Sequence, residues 1–365
     1  MKNVFLKILI GIVVGIVVFI ITTGNIPVLF QKLFYITNNN DKDQTPYITF
    51  MAEKAQVLEL DTPFHLNLSY SLNNEEWKEF KNRESITFGG KYGNIKLRGK
   101  NPNGTANDRF YSTIIFRNNV NVSCIGDIRT LIDYENYQTV KTDKVSFHRL
   151  FYECYQLVSA PDLPLIDLAE HCYSGMFEGC SSLKEAPRLP AIKLSKGCYS
   201  GMFRGCSSLE IAPELPASNI AENCYFGMFW ECYSLKRMPK LPAYQLESYC
   251  YFSMFAYCTS LSSVSELPST SLADYCYDGM FQGCSSLKEA PRLPAEKLSK
   301  GCYSTMFRGC SSLCKIDMQA IDISAEGSLL KWVYSVADSG TFIKNKNAKW
   351  DEKGVVPNNW IIRTE

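Results

Sequence analysis

The stretch CYSGMFEGCSSLKEAPRLPAIKLSKG at 172–197 decides the fold, because a block of the same 26-residue length recurs down the second half of the chain. The later copies begin at Cys198, Cys224, Cys250, Cys276 and Cys302. A degenerate first copy, SFHRLFYECYQLVSAPDLPLIDLAEH, begins at Ser146. One such unit is too small to bury its own apolar face, so seven copies predict a stacked solenoid. Its long surface favours binding as the function.

A column of charged side chains supports the stacking. Sixteen residues into each copy the charge alternates in sign along Asp162, Arg188, Glu214, Lys240, Glu266 and Arg292. Equivalent residues of neighbouring coils lie about 4.8 Å apart if they occupy paired parallel strands. Alternating charges at that spacing attract, each pair contributing about 0.2–1 kcal/mol. We predict a structural charge ladder on the solvent face. A second column nearly alternates too: Glu170, Lys196, Glu222, Ser248, Asp274 and Lys300.

The repeat also indicates what each coil contains. Positions 1, 5 and 9 of the unit are Cys, Met and Cys, which would share one face of a short helix. The prolines that follow, Pro187 and Pro190 and their equivalents, cannot donate to a ladder, so each strand must be short. The spacing leaves open whether the Ala or the Pro side of this segment points inward. The fold class predicted is an α/β solenoid of seven coils.

The unit L-x-x-A-P-x-L-P-A-x-x-L-x-x-x-C-Y-x-x-M-F-x-G-C-S-S-L resembles the leucine-rich repeats of BspA-type bacterial surface proteins. Phe203, Cys206 and Leu209 fall where that family keeps its Phe, Cys and Leu. The resemblance covers about half of the chain, from 146 to about 325. It implies a secreted or surface-exposed protein that binds host proteins, other cells or glycans.

The regions on either side of the repeats at 146–325 are expected to cap them. Segments such as HLNLSY at 65–70 alternate apolar and polar residues between Asn and Gly turns, so 47–145 is predicted to be a small β-rich, sandwich-like domain. It ends in a short capping helix at 126–133. The last segment, 326–365, is predicted to be a C-terminal cap whose apolar cover comes from Trp332, Phe342, Trp350 and Trp360.

The N-terminal sequence predicts a membrane anchor at 1–37, followed by a polar linker at 38–46. ILIGIVVGIVVFII at 8–21 has no polar side chain, and the wider stretch 4–23 would span a hydrocarbon core of about 30 Å as a transmembrane helix. Lys2 and Lys7 precede it, so the positive-inside bias places the repeats outside the cytoplasm, at the cell surface. A cleaved signal peptide, which would release a secreted protein, is the alternative.

The cysteines are expected to be buried free thiols. Of 15, all but Cys124 and Cys314 fall in two repeat columns. Within a coil the two cysteines would lie about 12 Å apart along a helix, too far for a disulfide. Between coils a column would have to pair two by two, although the repeat treats every member alike. CxxC pairs and partnered histidines are missing, so no metal site is predicted. Small apolar packing explains the cysteines best.

Catalysis and nucleic-acid binding are not expected. The chain has no G-x-S-x-G, Gly-rich phosphate loop or H-E-x-x-H. Of its three histidines, His171 directly precedes Cys172, but adjacent residues do not face each other. The net charge is +1 with basic and acidic residues interleaved, which excludes the electrostatic footprint of a nucleic-acid-binding protein. No cofactor is predicted.

A cluster of aromatic residues in the fourth and fifth copies is the candidate binding site. The departures from the repeat are Phe226, Trp230, Tyr233, Tyr244, Tyr249, Phe252, Tyr257 and Tyr275. An apolar patch of this kind is rare on soluble surfaces, and Trp and Tyr are common binding hot spots. The chain is therefore interpreted as an adhesin-like, non-enzymatic protein whose ligand is a protein or glycan on another cell, a host matrix or a virus. Sequence drift, packing against the β-rich domain or a second copy, and a structural spacer without a ligand are the alternatives.

Overall fold

The computed structural model describes residues 46–107 and 109–365. Two short 3-10 helices are present, at Gly90–Tyr92 and Ile128–Leu131. The twelve strands are β1 (Ile48–Met51), β2 (Gln56–Asp61), β3 (Leu68–Leu72), β4 (Lys78–Glu79), β5 (Ile86–Phe88), β6 (Ile95–Gly99), β7 (Thr113–Phe116), β8 (Val122–Ile125), β9 (Leu157–Ser159), β10 (Lys315–Met318), β11 (Thr341–Lys344) and β12 (Ile361–Thr364). The predicted membrane span at 4–23 lies outside the described residues. Within them, no helix has the length and apolar character needed to cross a bilayer.

The predicted α/β solenoid is wrong for the residues that the structure describes, because none of them forms an α-helix. The predicted capping helix at 126–133 is likewise only the 3-10 helix Ile128–Leu131, which begins after Asp127. In the repeats, the residues expected to be helical form overlapping β-turns instead. The cause is the backbone at every fourth residue: φ is +54° at His171, +58° at Gly175 and +81° at Gly179. Left-handed residues at this spacing prevent an α-helix, whose φ is negative throughout.

This segment, 171–180 in the second coil and its equivalents in the others, is called the turn ribbon. Its backbone hydrogen bonds alternate in direction. The N–H of Met176 donates to the Tyr173 carbonyl within the same coil at 3.1 Å, whereas the N–H of Gly175 donates to the Ser200 carbonyl of the next coil at 2.8 Å. The same alternation recurs from coil to coil. Coils are counted from the first residue of the turn ribbon, one residue before each repeat copy: coil 1 begins at Val145, coil 2 at His171, coil 3 at Gly197, and so on every 26 residues. Successive coils are therefore stacked with a fixed offset.

The opposite flank of each coil, which carries the prolines, is paired less regularly. Isolated parallel bridges join Glu185 to Ile211 and Lys193 to Asn219, between coils 2 and 3. Equivalent bridges recur between coils 4 and 5 and between coils 6 and 7. Within Ala-Pro-x-Leu-Pro, Ala186 and Pro187 are both half-buried and Leu189 is buried, so neither the alanine nor the proline alone forms the inward side.

Two columns of rings, called the inner aromatic stacks, fill the centre of the coils. The first consists of Tyr173, Tyr199, Tyr225, Tyr251, Tyr277 and Tyr303, and the second of Phe151, Phe177, Phe203, Phe229, Phe255, Phe281 and Phe307. Neighbouring rings are nearly parallel; Phe177 and Phe203, for example, are 5.7 Å apart with 3° between their planes. All these side chains are buried.

The cysteine columns lie beside these rings, and all thirteen cysteines are buried free thiols. The cysteines at the ninth position of the unit also make a polar contact, which the expectation of small apolar side chains did not include. The Sγ of Cys206 lies 3.2 Å from the carbonyl oxygen of Phe177 in the preceding coil, and Cys232 makes the same contact with Phe203 at 3.1 Å. Because a thiol is a weak donor, each of these contacts adds a small stabilising term between coils.

At the N-terminal end, two sheets pack against the first coil. One has the order β4-β3-β6-β1-β8-β9 and the other β5-β2-β7. Strand β9 belongs to coil 1 and pairs in parallel with β8. Phe50 of β1 contacts Phe116 of β7 at 5.5 Å and Phe151 of coil 1 at 6.2 Å. The core therefore runs without interruption from the sheets into the coils.

At the C-terminal end, the turn ribbon continues through one more coil at 327–335, where the repeat sequence is no longer recognisable. Phe307 and Gly309 donate to the carbonyls of Trp332 and Tyr334, both at 2.8 Å. We number this segment coil 8. The parallel sheet β10-β11-β12 follows, and Trp332 and Phe342 are fully buried.

Candidate binding surface

Six of the eight candidate aromatics form ring contacts on the outer side of the turn ribbon in coils 4–6. We call them the outer aromatic ladder: Phe226, Trp230, Tyr249, Phe252, Tyr257 and Tyr275. Phe226 stacks on Phe252 with centroids 4.7 Å apart, and Tyr249 stacks on Tyr275 at 4.9 Å. Tyr249 also contacts Phe252 at 5.9 Å, while Trp230 lies 6.4 Å from Tyr257.

The other two candidates lie apart from this ladder. Tyr233 and Tyr244 are exposed by 46% and 69%, and neither makes a ring contact with another described aromatic residue. Tyr244 lies next to Gln245, which bridges to Ser271 on the proline flank. The structure thus brings together the residues of the turn ribbon and leaves Tyr244 on another side of the coil.

Three tyrosines of the ladder have a left-handed backbone. Their φ values are +57° at Tyr249, +61° at Tyr257 and +56° at Tyr275. A bulky side chain is uncommon in this region, which costs about 1–2 kcal/mol for a residue with a Cβ. Most other coils have glycine at these columns, such as Gly301 and Gly283, which avoids this strain.

The large side chains of these columns lie over glycines of the following coil. A Cβ added at Gly301 would lie 2.3 Å from the Tyr275 ring, and one at Gly283 would lie 2.6 Å from the Tyr257 ring. His171 covers Gly197 in the same way. A tyrosine at a left-handed position therefore needs either a glycine or a stacked ring one coil later.

Trp230 is held between two neighbours. The guanidinium carbon of Arg204, from coil 3, lies 4.5 Å from the Trp230 ring centroid, a cation–π contact. Tyr257, from coil 5, lies over the ring from the other direction. The indole Nε1 is shielded from solvent and has no hydrogen-bond partner. An unpaired buried donor of this kind costs about 1–3 kcal/mol.

The predicted charge ladder is aligned but its members do not touch. The six side chains are exposed, and the bridges at Glu185 and Lys193 place Arg188 and Glu214 in one column. Among the described residues, no two of the six form an ion pair within 4.0 Å, and Arg292 contacts Asp317 at 3.6 Å. Their stabilising role stays a prediction.

The second charged column does form contacts between coils. Lys196 pairs with Glu222 at 2.9 Å and Lys300 with Glu326 at 2.8 Å. A further pair that the sequence pattern did not single out joins Glu210 to Lys236 at 2.6 Å. These surface pairs contribute little individually.

Burial shifts the pKa values of His148 and of the repeat thiols. The carbonyl of Ser174 accepts from Nδ1 of His148 at 2.7 Å, and burial lowers the pKa of this imidazole. Burial raises the pKa of the repeat thiols, to about 12 for Cys224 and Cys302, so they are inert at neutral pH. In 46–107 and 109–365, no group of three or more His, Cys, Asp or Glu side chains is placed to hold a metal ion.

Sequence reasoning missed the left-handed columns and the contact between Arg204 and Trp230. The first had a visible signal, because Gly175, Gly179, Gly201 and Gly205 recur at a spacing of four residues. The contact between Arg204 and Trp230 had none, since it joins residues in different coils whose register on the outer face depends on the turn ribbon.

Comparison with known proteins finds no match to this chain among family models, curated proteins or solved structures. The resemblance to BspA-type repeats therefore stays a prediction drawn from the repeat unit. Function has to be argued from the geometry of the outer aromatic ladder and its surroundings.

Proposed function

We propose that this protein is a non-enzymatic binding protein, displayed at the cell surface or secreted, that recognises a protein or a glycan through the outer aromatic ladder. The observation that carries the proposal is the left-handed backbone of Tyr249, Tyr257 and Tyr275. Backbone strain of this kind is retained where the surrounding structure enforces it, and it concentrates at functional sites.

The fold itself does not require these tyrosines. Coils 3 and 7 have glycine at the column of Tyr275, at Gly197 and Gly301, and they stack with the same backbone hydrogen bonds. Replacing glycine by tyrosine there adds strain and a partly exposed ring. Other side chains also occur at left-handed positions, such as Glu153 and Glu231 in the column of Tyr257. Tyrosines at these positions are confined to coils 5 and 6 among the described coils, and this clustering favours binding.

The exposed chemistry of the ladder fits a recognition surface. Tyr257 is 38% exposed, and Phe226, Trp230 and Phe252 are partly exposed in columns where other coils have residues such as Ser174 and Ser200. Because the rings stack face to face, their edges meet the solvent. Tyrosine and tryptophan in a well-packed cluster are the residues that most often dominate binding energies.

Two sequence features support the rest of the proposal. The apolar stretch at 8–21 favours export of the chain, and the resemblance to BspA-type surface proteins indicates a binding role. The sequence has no catalytic motif, and the buried thiols and His148 are not poised for catalysis. These points favour a binding protein over an enzyme.

The test uses the full chain on arrays of extracellular matrix proteins and of glycans, followed by variants of the ladder. Tyr249→Gly with Tyr275→Gly replaces strained residues by the choice of other coils. We expect binding to be lost, while the free energy of unfolding changes by less than about 1 kcal/mol, because relieved strain offsets lost stacking. Both quantities are measured on the same preparations.

A second pair of variants gives a matched control. Phe226→Ser with Trp230→Ser alters the ladder, and Leu330→Ser with Tyr334→Ser alters the same two columns in coil 8, where both residues are exposed. Binding should be lost only with the first pair. If the ladder variants keep their affinity and lose stability instead, the rings are packing and the chain is better described as a structural spacer.

A further inference from the structure

A groove adjoins the outer aromatic ladder on the side of coils 2 and 3. Its volume is about 140 Å³. The floor consists of Gly175, Gly201 and Gly227, and the end nearest the ladder is formed by Phe226 and Trp230. A cavity of about 150 Å³ holds a group of the size of benzene, so this groove has room for one side chain.

The groove is open because three successive coils, at Gly175, Gly201 and Gly227, lack a side chain at the same left-handed column. Arg149 of coil 1 covers Gly175, with its Cγ 3.1 Å from a Cβ built there. Gly175 has no side chain to cover Gly201 in turn. A Cβ added at Gly201 would meet no atom within 4 Å, whereas one at Gly301 would meet the Tyr275 ring. Space is therefore left over Gly201.

Hydrogen-bond donors outnumber acceptors around this space. Glu178 is the carboxylate of the groove, and it is engaged by Arg149 at 3.3 Å. Arg204 has no carboxylate within 4.0 Å among the described residues, and it lies over Trp230. Nε of Arg149 and Nε1 of Trp230 are shielded from solvent without partners. Positive charge and unpaired hydrogen-bond donors are therefore in excess around the groove, which favours binding of an anionic hydrogen-bond acceptor.

We propose that the groove receives an acidic side chain, Asp or Glu, from a partner protein. Its carboxylate binds the guanidinium of Arg204, and the neighbouring apolar part of the partner packs on Phe226. Arginine suits this role because its planar fork bonds a carboxylate through two parallel hydrogen bonds. The inference rests on the proposed function, since it names the partner chemistry of the same surface.

The arrangement of the rings favours a protein over a glycan. A sugar stacks on the free face of an aromatic ring. Both faces of Trp230 are occupied, by Arg204 from coil 3 and by Tyr257 from coil 5. One face of Phe226 is covered by Phe252. The volume over Gly201 also suits one side chain better than a chain of sugar rings.

The first experiment titrates the full chain with capped dipeptides and follows the indole N–H signals of its five tryptophans by NMR. The probe is acetyl-Leu-Glu-amide and its neutral control is acetyl-Leu-Gln-amide; Trp230→Phe identifies the signal of Trp230. The Glu probe should shift that signal, and the Gln probe should bind about ten-fold more weakly or worse, because a charge-assisted bond contributes about 1.5–3 kcal/mol.

Two variants test the groove directly. Arg204→Gln should weaken binding of the Glu probe about ten-fold or more by removing the charge. Gly201→Ala should do the same by placing a methyl group in the open space. Gly327→Ala is the matched control: its φ is +64°, close to the +59° of Gly201, and its added Cβ would also meet nothing within 4 Å, but it lies in coil 8. Gly327→Ala should leave binding unchanged.

Several outcomes would overturn the inference: equal binding of both probes, no shift with either probe, or unchanged binding in Arg204→Gln. Binding of free N-acetylneuraminic acid without binding of the Glu probe would assign the groove to an acidic sugar instead, which also overturns it.

The inference and the proposed function fail in different ways. If the Glu probe binds but the full chain captures nothing on the protein and glycan arrays, only the proposed function fails. If an array ligand depends on Tyr249 and Tyr275 but the Glu probe does not bind, only the groove assignment fails.

Discussion

The inner aromatic stacks and the outer aromatic ladder both consist of rings stacked from coil to coil, but the two sets differ in burial and in how often they recur. In both, flat rings repeat from one coil to the next at distances of about 5–6 Å, as in Phe229–Phe255 at 5.4 Å and Phe226–Phe252 at 4.7 Å. The inner rings are buried and recur in every repeat coil. The outer rings are partly exposed, and among the described coils they stack from one coil to the next only in coils 4–6.

The difference shows which rings the fold needs. A buried ring between two others stabilises each coil through apolar burial, so its column is filled in every repeat copy. The outer ladder is only partly buried and is not repeated in every coil, and Tyr249 and Tyr275 adopt strained backbones. Repetition therefore indicates folding in this molecule, and local departure from the repeat is where we propose that binding takes place.

The largest expected effect comes from breaking an inner stack. Phe229→Ala removes a fully buried ring between two neighbours and should lower the free energy of unfolding by about 3–5 kcal/mol. Phe226→Ala, three residues earlier in the same coil, removes an outer ring and should cost less than half as much. Chemical denaturation of both variants measures the difference. Equal losses would show that the two regions are not distinct.

A smaller effect should come from two left-handed glycines, of which only Gly301 lies under an outer ring. Gly201→Ala and Gly301→Ala share a φ of +59°, and the second also places a methyl group against Tyr275. Gly201→Ala should cost about 1–2 kcal/mol from backbone strain, and Gly301→Ala clearly more. Adding Tyr275→Gly to Gly301→Ala should bring its loss down to that of Gly201→Ala. A double variant as unstable as Gly301→Ala would contradict the contact.

A third comparison concerns the thiols beside the inner stacks. Cys232→Ala removes a buried sulfur and its contact with the Phe203 carbonyl, and it should cost about 1–2 kcal/mol. Cys314→Ala is the control, because Cys314 is exposed. In the native chain an alkylating reagent should modify Cys314 alone, as counted by mass spectrometry. Modification of the repeat thiols without unfolding would show that the inner columns are open.

The smallest effect on stability should come from the titration of His148. This residue of coil 1 occupies the column that Phe226 occupies in coil 4. Burial lowers the pKa of His148 from the ordinary 6.5. Above pH 6.5 the imidazole is therefore neutral in both the folded and the unfolded state. Below it the unfolded chain takes up the proton first, and stability falls by at most about 1.4 kcal/mol per pH unit. Between pH 7 and 5.5, His148→Gln should lose less stability than the unaltered chain. If the stability of the two proteins depends on pH in the same way, the prediction is contradicted.

The sequence was sufficient for the repeat register and the candidate aromatics, but not for the conformation of the backbone. The Cys-x-x-x-Met-x-x-x-Cys spacing matches one face of a helix, and the same spacing also suits a ribbon in which two residues point inward and the next two outward. The ribbon was hard to predict because some of its left-handed positions are occupied by residues other than glycine, such as His171 and Tyr249. A left-handed column is easily recognised in a sequence only where it contains glycine.

The candidate site was limited by the same ambiguity. On a helix, Tyr233 would have continued the stripe from Phe226 and Trp230, but on the turn ribbon it does not reach the other rings. The partners of Trp230, Arg204 and Tyr257, come from neighbouring coils. Their approach depends on backbone directions that no local pattern in the sequence specifies.

The uniform offset between coils has a genetic consequence. The repeat copies at 172–197 and 276–301 differ at only three positions. Recombination between the two matching stretches of the gene would delete 172–275 in reading frame. Coil 1 would then be followed directly by coil 6, with the stacking offset preserved. The shortened chain would keep both ends and the inner rings of the remaining coils. It would lose every residue of the outer aromatic ladder, so a single deletion event could separate an allele that binds from one that does not.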